Sequence, residues 1–111
     1  MKSVVRQVRS LAQTAELRVI EFEQRAASLG EWHYHSKVDE TCYALTGSLR
    51  VEYAEGRVEA LAQGQQVRIE AGKVHRLVNQ SATAARYLVI QGPGVFDYIV
   101  SEPRLVDTAL T

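Results

Sequence analysis

The sequence has little cysteine, no excess charge and no long apolar run, and each shortage excludes a class of protein. Cys42 is the single cysteine in the 111 residues, so no disulfide can form within the chain, and we expect a reducing, cytoplasmic location. The 13 basic and 13 acidic side chains give zero formal net charge, whereas a nucleic-acid-binding surface shows a strong basic excess. We therefore expect no nucleic acid as a partner. No apolar run resembles a secretory signal or a membrane span, so we also expect no membrane as a partner.

The length and the apolar content together predict one small domain. A chain of 111 residues matches a single domain and leaves little room for a second one. Apolar residues make up 46% of the sequence, which is enough for a workable core at this size. We therefore expect residues 1–111 to fold as one unit.

Apolar and polar residues alternate with a period of two along most of the chain, which is typical of half-buried strands. The pattern is cleanest in residues 48–53, where Leu49, Val51 and Tyr53 share one face. Similar runs occupy residues 16–23, 57–61, 66–69, 74–78 and 86–90. Residues 4–13 have a spacing that also fits a helix, but their valines favour a strand. Short strands between closely spaced turn residues predict an all-β sandwich or barrel.

The residues that carry chemistry lie in two of the predicted β segments. His33 and His35 are separated by one residue, so in a strand both imidazoles project from one face, with Cα atoms roughly 6.5 Å apart. After a turn, Glu40 brings a carboxylate back beside them, and Asp39 is the alternative that would point to the opposite face. His75, the last of the three histidines, follows in a later strand. Imidazole is a common ligand of divalent transition metals, so the pair of His33 and His35 indicates a metal site.

These residues resemble the two motifs of the cupin superfamily. The first motif is a His-x-His pair followed at fixed spacings by a Glu and a Gly, as in His33, His35, Glu40 and Gly47. The second motif contains a Gly, a Pro-x-Gly turn, a His and an Asn, as in Gly64, Gly72, His75 and Asn79. Two positions depart from the pattern, because Glu70 replaces the usual proline and Ala27 replaces the glycine that usually opens the first motif. Gly47 itself is interpreted as a hairpin turn.

The resemblance implies an all-β, double-stranded β-helix (jelly-roll) barrel, with the first motif at residues 30–47 and the second at residues 64–79. It implies that His33, His35, Glu40 and His75 bind one divalent metal ion, of which Fe, Mn, Ni and Zn are chemically reasonable. It also implies a homodimer, with residues 4–11 or 95–100 supplying the contact. Asn79 is interpreted as a structural residue, and Trp32 should face away from the metal.

Three imidazoles and one carboxylate would leave two positions free on an octahedral ion. Such an ion allows Lewis-acid chemistry of the isomerase or lyase type on a small polar metabolite, or dioxygenase chemistry if it is redox-active iron. Tyr43 and Cys42 are the candidates for a general base, although Cys42 is first interpreted as a small buried apolar group. A small-molecule binding or sensing module without turnover is the alternative.

Arginines bear on the charge of the ligand. Arg50, Arg68, Arg76 and Arg86 are interpreted as surface residues of alternating strands. An arginine that faced inward would instead indicate an anionic substrate.

Overall fold

The computed structural model describes residues 3–103, so residues 1–2 and 104–111 of the predicted domain lie outside the described residues. Within residues 3–103 the secondary structure is entirely β, which confirms the predicted all-β class. The strands are β1 (Val5–Gln13), β2 (Arg18–Gln24), β3 (Ser28–Leu29), β4 (His33–Tyr34), β5 (Glu40–Thr46), β6 (Ser48–Tyr53), β7 (Val58–Ala62), β8 (Gln66–Ile69), β9 (His75–Asn79), β10 (Ala85–Gln91) and β11 (Ile99–Val100). In this part of the chain no helix is long and apolar enough to cross a membrane.

The strands form two antiparallel sheets whose inner faces enclose the core. One sheet has the order β1-β2-β10-β5-β8, and the other has the order β11-β4-β9-β6-β7 with β3 also paired to β9. Residues 4–13 form the edge strand β1, as their valines predicted, rather than a helix. Strands that are distant in the sequence are therefore neighbours in space, and this brings the two histidine segments together. That the whole of residues 1–111 forms one domain stays a prediction.

Gly47 is a corner between the two sheets, and its interpretation as a hairpin turn was wrong. The strand before it, β5, pairs with β10 and β8, whereas the strand after it, β6, pairs with β7 and β9. The backbone at Gly47 has a φ of 84°, a conformation that only glycine adopts without strain. A Cβ atom here would also lie 2.9 Å from the Cβ of Ala85, so the corner needs both the flexibility and the small size of glycine.

The apolar core follows directly from the alternation along the strands. On β6, Leu49, Val51 and Tyr53 all point inward and are buried, as the sequence pattern predicted. They pack with the inward residues of β5, β7, β8, β9 and β10 into one cluster. Leu61 in that cluster is fully buried, and burying a side chain of this size contributes about 1.5–3 kcal/mol.

The two departures from the motif pattern fall in turns that still form. Ala27 adopts a φ of 48°, the left-handed conformation that favours glycine, which is the residue that usually stands there. At the other departure, the amide of Lys73 donates to the carbonyl of Glu70 over 3.2 Å, so the turn closes without proline. The amide of Gly72 then donates to the carbonyl of His35 over 2.7 Å, which ties this turn to the first histidine segment.

Candidate metal centre

The four predicted ligand residues meet on the inner side of the barrel. His33 lies on β4 directly opposite His75, the first residue of β9, and Glu40 is the first residue of β5. β4 ends at Tyr34, so His35 follows the strand instead of belonging to it. The ligand atoms of His33, His35, Glu40 and His75 nevertheless all lie within 4.8 Å of one another. The structure therefore brings together every residue of the predicted site.

The structure also separates Glu40 from Asp39. Glu40 is buried at 5% exposure, and its carboxylate faces His35 and His75. The carboxylate of Asp39 points the other way, where it accepts from the backbone amide of Ala71 over 2.9 Å and pairs with Arg68. Glu40 is thus the carboxylate that the fold places at the site.

Each imidazole is oriented by a backbone carbonyl at its Nδ1 atom. His33 Nδ1 lies 2.8 Å from the carbonyl of Glu31, and His75 Nδ1 lies 2.8 Å from the carbonyl of Lys73. His35 Nδ1 bonds to the carbonyl of Asp97. Because a carbonyl only accepts hydrogen bonds, each Nδ1 carries the proton. This leaves the lone pair of each Nε2 available for a metal, which is how metal-binding histidines are usually held.

The Nε2 atoms and the Glu40 carboxylate bring several hydrogen-bond acceptors close together. Nε2 of His75 lies 3.2 Å from Oε2 of Glu40, and Nε2 of His35 lies 3.4 Å from Oε1 of Glu40. Lone pairs facing a carboxylate need a proton or a cation between them. Atoms about 2.1 Å from one ion lie roughly 3.0–3.4 Å apart in octahedral or tetrahedral coordination. In donor type, and in the spacing of Glu40 from His35 and His75, the residues therefore fit a divalent transition metal.

The charge states of His33 and Glu40 agree with this fit. Burial lowers the pKa of His33 to about 4, so that ring is neutral at pH 7. Burial also acts to lower the pKa of His35, but the hydrogen bond and charge of Glu40 outweigh it and raise the pKa. Burial acts to raise the pKa of Glu40, but hydrogen bonds with His35 and His75 hold it well below its ordinary value. Glu40 is thus an anion, as a ligand must be.

Two residues at the site were missed by the sequence analysis. Gln91 on β10 is directly opposite Glu40 on β5 and opposite Arg18 on β2. Its Nε2 donates to Oε1 of Glu40 over 3.0 Å, and its Oε1 accepts from Nε of Arg18 over 2.7 Å. The sequence contains a clue to Arg18, which shares strand parity with Ile20 and Phe22. Gln91 likewise shares strand parity with Tyr87 and Val89, but only the pairing of β10 with β5 puts it beside Glu40.

The site opens into a cavity of about 580 Å³, a volume ordinary for small-molecule sites, which span about 300–1,000 Å³. Much of its wall is apolar, and Ile20, Phe22 and Val89 contribute to it. Tyr98 lies at the wall, where its ring stacks on His33 at 4.3 Å and its hydroxyl donates to Glu31 over 2.8 Å.

Gln24, on the same strand as Arg18, also lines the cavity. Its Oε1 is buried and has no hydrogen-bond partner among residues 3–103. Its Nε2 donates to the carbonyls of Ser28 and Leu77, so the amide is held with the oxygen free.

The suggested general bases are not at the cavity, and that part of the sequence analysis was wrong. Cys42 is fully buried in the apolar core, where burial raises the pKa of its thiol well above the ordinary value. It is the small buried apolar group first proposed. Tyr43 has the opposite strand parity to Glu40 and does not contribute to the wall.

The remaining interpretations of polar and aromatic residues hold. Asn79 donates to three backbone carbonyls through Nδ2 and accepts from Ser81, so its role is structural. Trp32 packs under the guanidinium of Arg76 at 4.4 Å and is not part of the cavity wall. The four arginines interpreted as surface residues each pair with a carboxylate, namely Arg50 and Arg76 with Glu52, Arg68 with Asp39, and Arg86 with Glu21 and Glu23.

Two antiparallel sheets around a cluster of three imidazoles and a carboxylate define a β-barrel with a group of residues that could hold a metal ion. The sequence matches the family model described as "Cupin domain" over residues 19–91, and the chain belongs to this family. No curated protein matches the chain significantly.

Solved structures are similar over most of the chain. An uncharacterized conserved protein with a double-stranded β-helix domain from Klebsiella pneumoniae has a TM-score of 0.76 at 18% identity, over 86% of this chain and 84% of that one. The polyketide cyclase RemF from Streptomyces resistomycificus has a TM-score of 0.69 at 22% identity, over 90% and 75%. The DMSP lyase DddQ from Ruegeria pomeroyi has a TM-score of 0.70 at 17% identity, over 82% and 46%. These similarities confirm the predicted double-stranded β-helix.

Proposed function

We propose that this chain is a metal-dependent enzyme of the lyase or isomerase type that acts on a small polar metabolite. The observation that carries the proposal is the convergence of His33, His35, Glu40 and His75 on the wall of a cavity large enough for such a molecule. Three of the four proposed ligand residues are buried. A buried charged cluster of this kind costs stability, so its presence indicates a functional site.

The four residues would bind one divalent ion, with Fe, Mn, Ni and Zn as the candidates. When bound, the ion would act as a Lewis acid that polarises an oxygen of the ligand and stabilises negative charge on it. Gln91 orients the Glu40 carboxylate from behind, through the 3.0 Å hydrogen bond. The apolar part of the wall excludes water, which strengthens electrostatic interactions inside the cavity.

Among the described wall residues, Glu31 and Tyr98 form a hydrogen-bonded pair that can move a proton in this cavity. The described wall residues include two carboxylates, Glu40 and Glu31. Glu31 is outside the proposed ligand set, so it is the candidate proton acceptor. Burial and the hydrogen bond to Glu31 raise the pKa of the Tyr98 phenol, which keeps it protonated as a donor. The pair lies next to His33 and therefore next to the proposed ion.

The choice of non-redox chemistry over a dioxygenase is supported by the similar structures. RemF is a polyketide cyclase and DddQ is a DMSP lyase, and neither name describes an oxygenase. The support is by analogy of fold, and a fold carries many chemistries. The reaction type must therefore be tested directly.

The first experiment measures the metal. The chain, purified without a histidine tag, should contain close to one equivalent of a divalent transition metal by elemental analysis. Glu40→Gln should lose it, because a neutral amide is a poor ligand. Glu59→Gln is the matched control, since Glu59 is half-exposed on β7 and pairs with Arg57 away from the cavity. Equal metal content in wild type and Glu40→Gln would refute the ligand set.

The second experiment measures the reaction. Metal-loaded protein is incubated without oxygen with hydroxy-keto compounds and with acids that carry a β leaving group, in deuterated water. We expect metal-dependent proton exchange or elimination, followed by NMR, that is absent in Glu40→Gln and weakened in Glu31→Gln. Oxygen consumption with catechols, diketones or thiols would support a dioxygenase instead. Tight binding of a metabolite with no turnover in either panel would support a binding or sensing module.

The homodimer and the cytoplasmic location belong to the same proposal. Strand β1 is an edge strand that pairs only with β2 among residues 3–103, and it exposes Leu11 at 51%. Such a free edge is suited to contact a second copy. Light scattering should give twice the chain mass of 12.4 kDa, and a monomer at working concentration would contradict the prediction. The cytoplasmic location is proposed because Cys42 is the single cysteine of the sequence, so no disulfide can form within the chain.

A further inference from the structure

Among the cavity-wall residues within the described range 3–103, Arg18 is the one that carries a permanent positive charge. It begins β2, and with Ile20 and Phe22 it forms the inward row of that strand. An inward-facing arginine indicates an anionic substrate, and none of the arginines first considered, Arg50, Arg68, Arg76 and Arg86, lines the cavity. Arg18 is therefore the residue to which that argument applies.

The guanidinium of Arg18 is held in place on two sides. Its Nε donates to Oε1 of Gln91 over 2.7 Å, and its Cζ lies 4.6 Å from the centroid of the Phe96 ring. Neither contact uses the two terminal nitrogens, and these make no hydrogen bond or ion pair with another residue of the 3–103 region. Arg68 and Arg86, by contrast, direct terminal nitrogens at carboxylates. Arg18 is oriented by the protein and still has donors to offer.

The planar geometry of these donors suits a carboxylate ligand. With Nε occupied, the remaining pair of terminal nitrogens forms a planar fork that matches the two oxygens of a carboxylate. Gln91 alone separates Arg18 from Glu40, since its amide bonds to both. A molecule of modest length can therefore contact Arg18 at one end and the proposed metal-binding residues at the other.

The charges in the cavity favour an anion. The wall has Arg18 against the carboxylates of Glu31 and Glu40. A bound divalent ion turns the sum of these charges positive. Beside the row of Arg18, Gln91 and Glu40, Ile20 and Val89 offer an apolar surface that suits a short hydrocarbon segment.

We propose that Arg18 binds the carboxylate of an amphipathic substrate whose other end reaches the His33, His35, Glu40 and His75 cluster. This rests on the proposed function, because it takes that cluster as the reactive end. It narrows the substrate class from small polar metabolites to small organic acids with a second oxygen group.

Calorimetry with a series of dicarboxylates tests the proposal. The probes are malonate through suberate and the monomethyl ester of each, titrated into Zn²⁺-loaded protein. One chain length should bind about 10–100-fold more tightly than its ester, the range expected for a hydrogen-bonded charge pair. Arg18→Gln should abolish this preference, whereas Arg18→Lys should keep part of it because the charge remains. The preference surviving intact in Arg18→Gln would overturn the proposal.

Two controls protect this result. Arg86→Gln removes an arginine that pairs with Glu21 and Glu23 on the outer face, and it should leave the preference unchanged. Arg18→Gln should retain the metal content of wild type, because Arg18 is not in the ligand set. If Arg86→Gln lost the preference as Arg18→Gln does, the effect would be one of overall charge and the proposal would fail.

Failure of the metal site and failure of the Arg18 site can be distinguished. If wild type binds no metal, the proposed function fails, but hexanoate binding to the metal-free protein still reports on Arg18. Wild type should then bind hexanoate more tightly than Arg18→Gln does, and equal binding would reject the site. Hexyl phosphate offers the same kind of fork partner, and tighter binding of hexyl phosphate than of hexanoate would overturn the carboxylate assignment.

Discussion

The interior of the barrel has a polar end and an apolar end, and both are built from the same strands. On β5, Glu40 is followed on the inner face by Cys42 and Ala44, and all three are buried. On β10, Val89 lies next to Gln91 on the same inner face. The alternation that directs a side chain inward is thus the same at both ends. What differs is the partner, because a buried polar group must find hydrogen bonds or a cation, whereas an apolar group needs only close packing.

The sharpest test of the polar end is to remove one ligand. His75→Asn should abolish stoichiometric metal binding while the chain stays folded, because His75 contributes Nε2 to the cluster and little to the apolar core. Affinity should fall by more than the about 10–100-fold typical of residues that only support a ligand. Elemental analysis measures the loss, and circular dichroism checks the fold. Retention of one equivalent of metal would remove His75 from the site.

The apolar end should respond in stability and not in metal binding. Leu61→Ala creates a cavity at a fully buried position and should cost about 2–5 kcal/mol of unfolding free energy. Urea denaturation of the metal-free protein measures this cost. The folded variant should keep the metal content of wild type. A large loss of metal by the folded variant would show that the two ends are coupled.

Gln91 tests the boundary between the two ends. Gln91→Leu removes the donor to Glu40 while keeping a similar volume, so metal affinity should fall about 10–100-fold. Competition with a fluorescent chelator measures the affinity. Gln66→Leu is the matched control, because Gln66 is exposed on β8. Similar affinities for the two variants would mean that Gln91 does not orient Glu40.

The smallest effect is expected outside both ends, at the left-handed residue Ala27. Ala27→Gly should stabilise the protein by about 0.5–1 kcal/mol, since glycine relieves the strain of a positive φ. Ala12→Gly, in the exposed part of β1, should instead destabilise by about 0.5–1 kcal/mol. Thermal denaturation compares them, and equal signs for the two changes would contradict the argument from φ at Ala27.

Much of the site was predictable because its chemistry is local in the chain. The spacing of His33 and His35 and the parity that separates Glu40 from Asp39 are properties of neighbouring residues. The roles of Gln91 and Arg18 were not predictable in this way. They depend on β10 lying between β2 and β5, and nothing in either segment specifies that order.

The sequence by itself therefore determined the β class, the inward faces of most strands and the residues of the candidate metal site. Strand parity and motif spacing act over a few residues and can be followed along the chain. Only the tertiary structure decided that the chain changes sheets at Gly47, that Cys42 and Tyr43 lie away from the cavity, and that Arg18 faces it. These outcomes depend on pairing between distant strands, where register and sheet order are set by packing of the whole barrel.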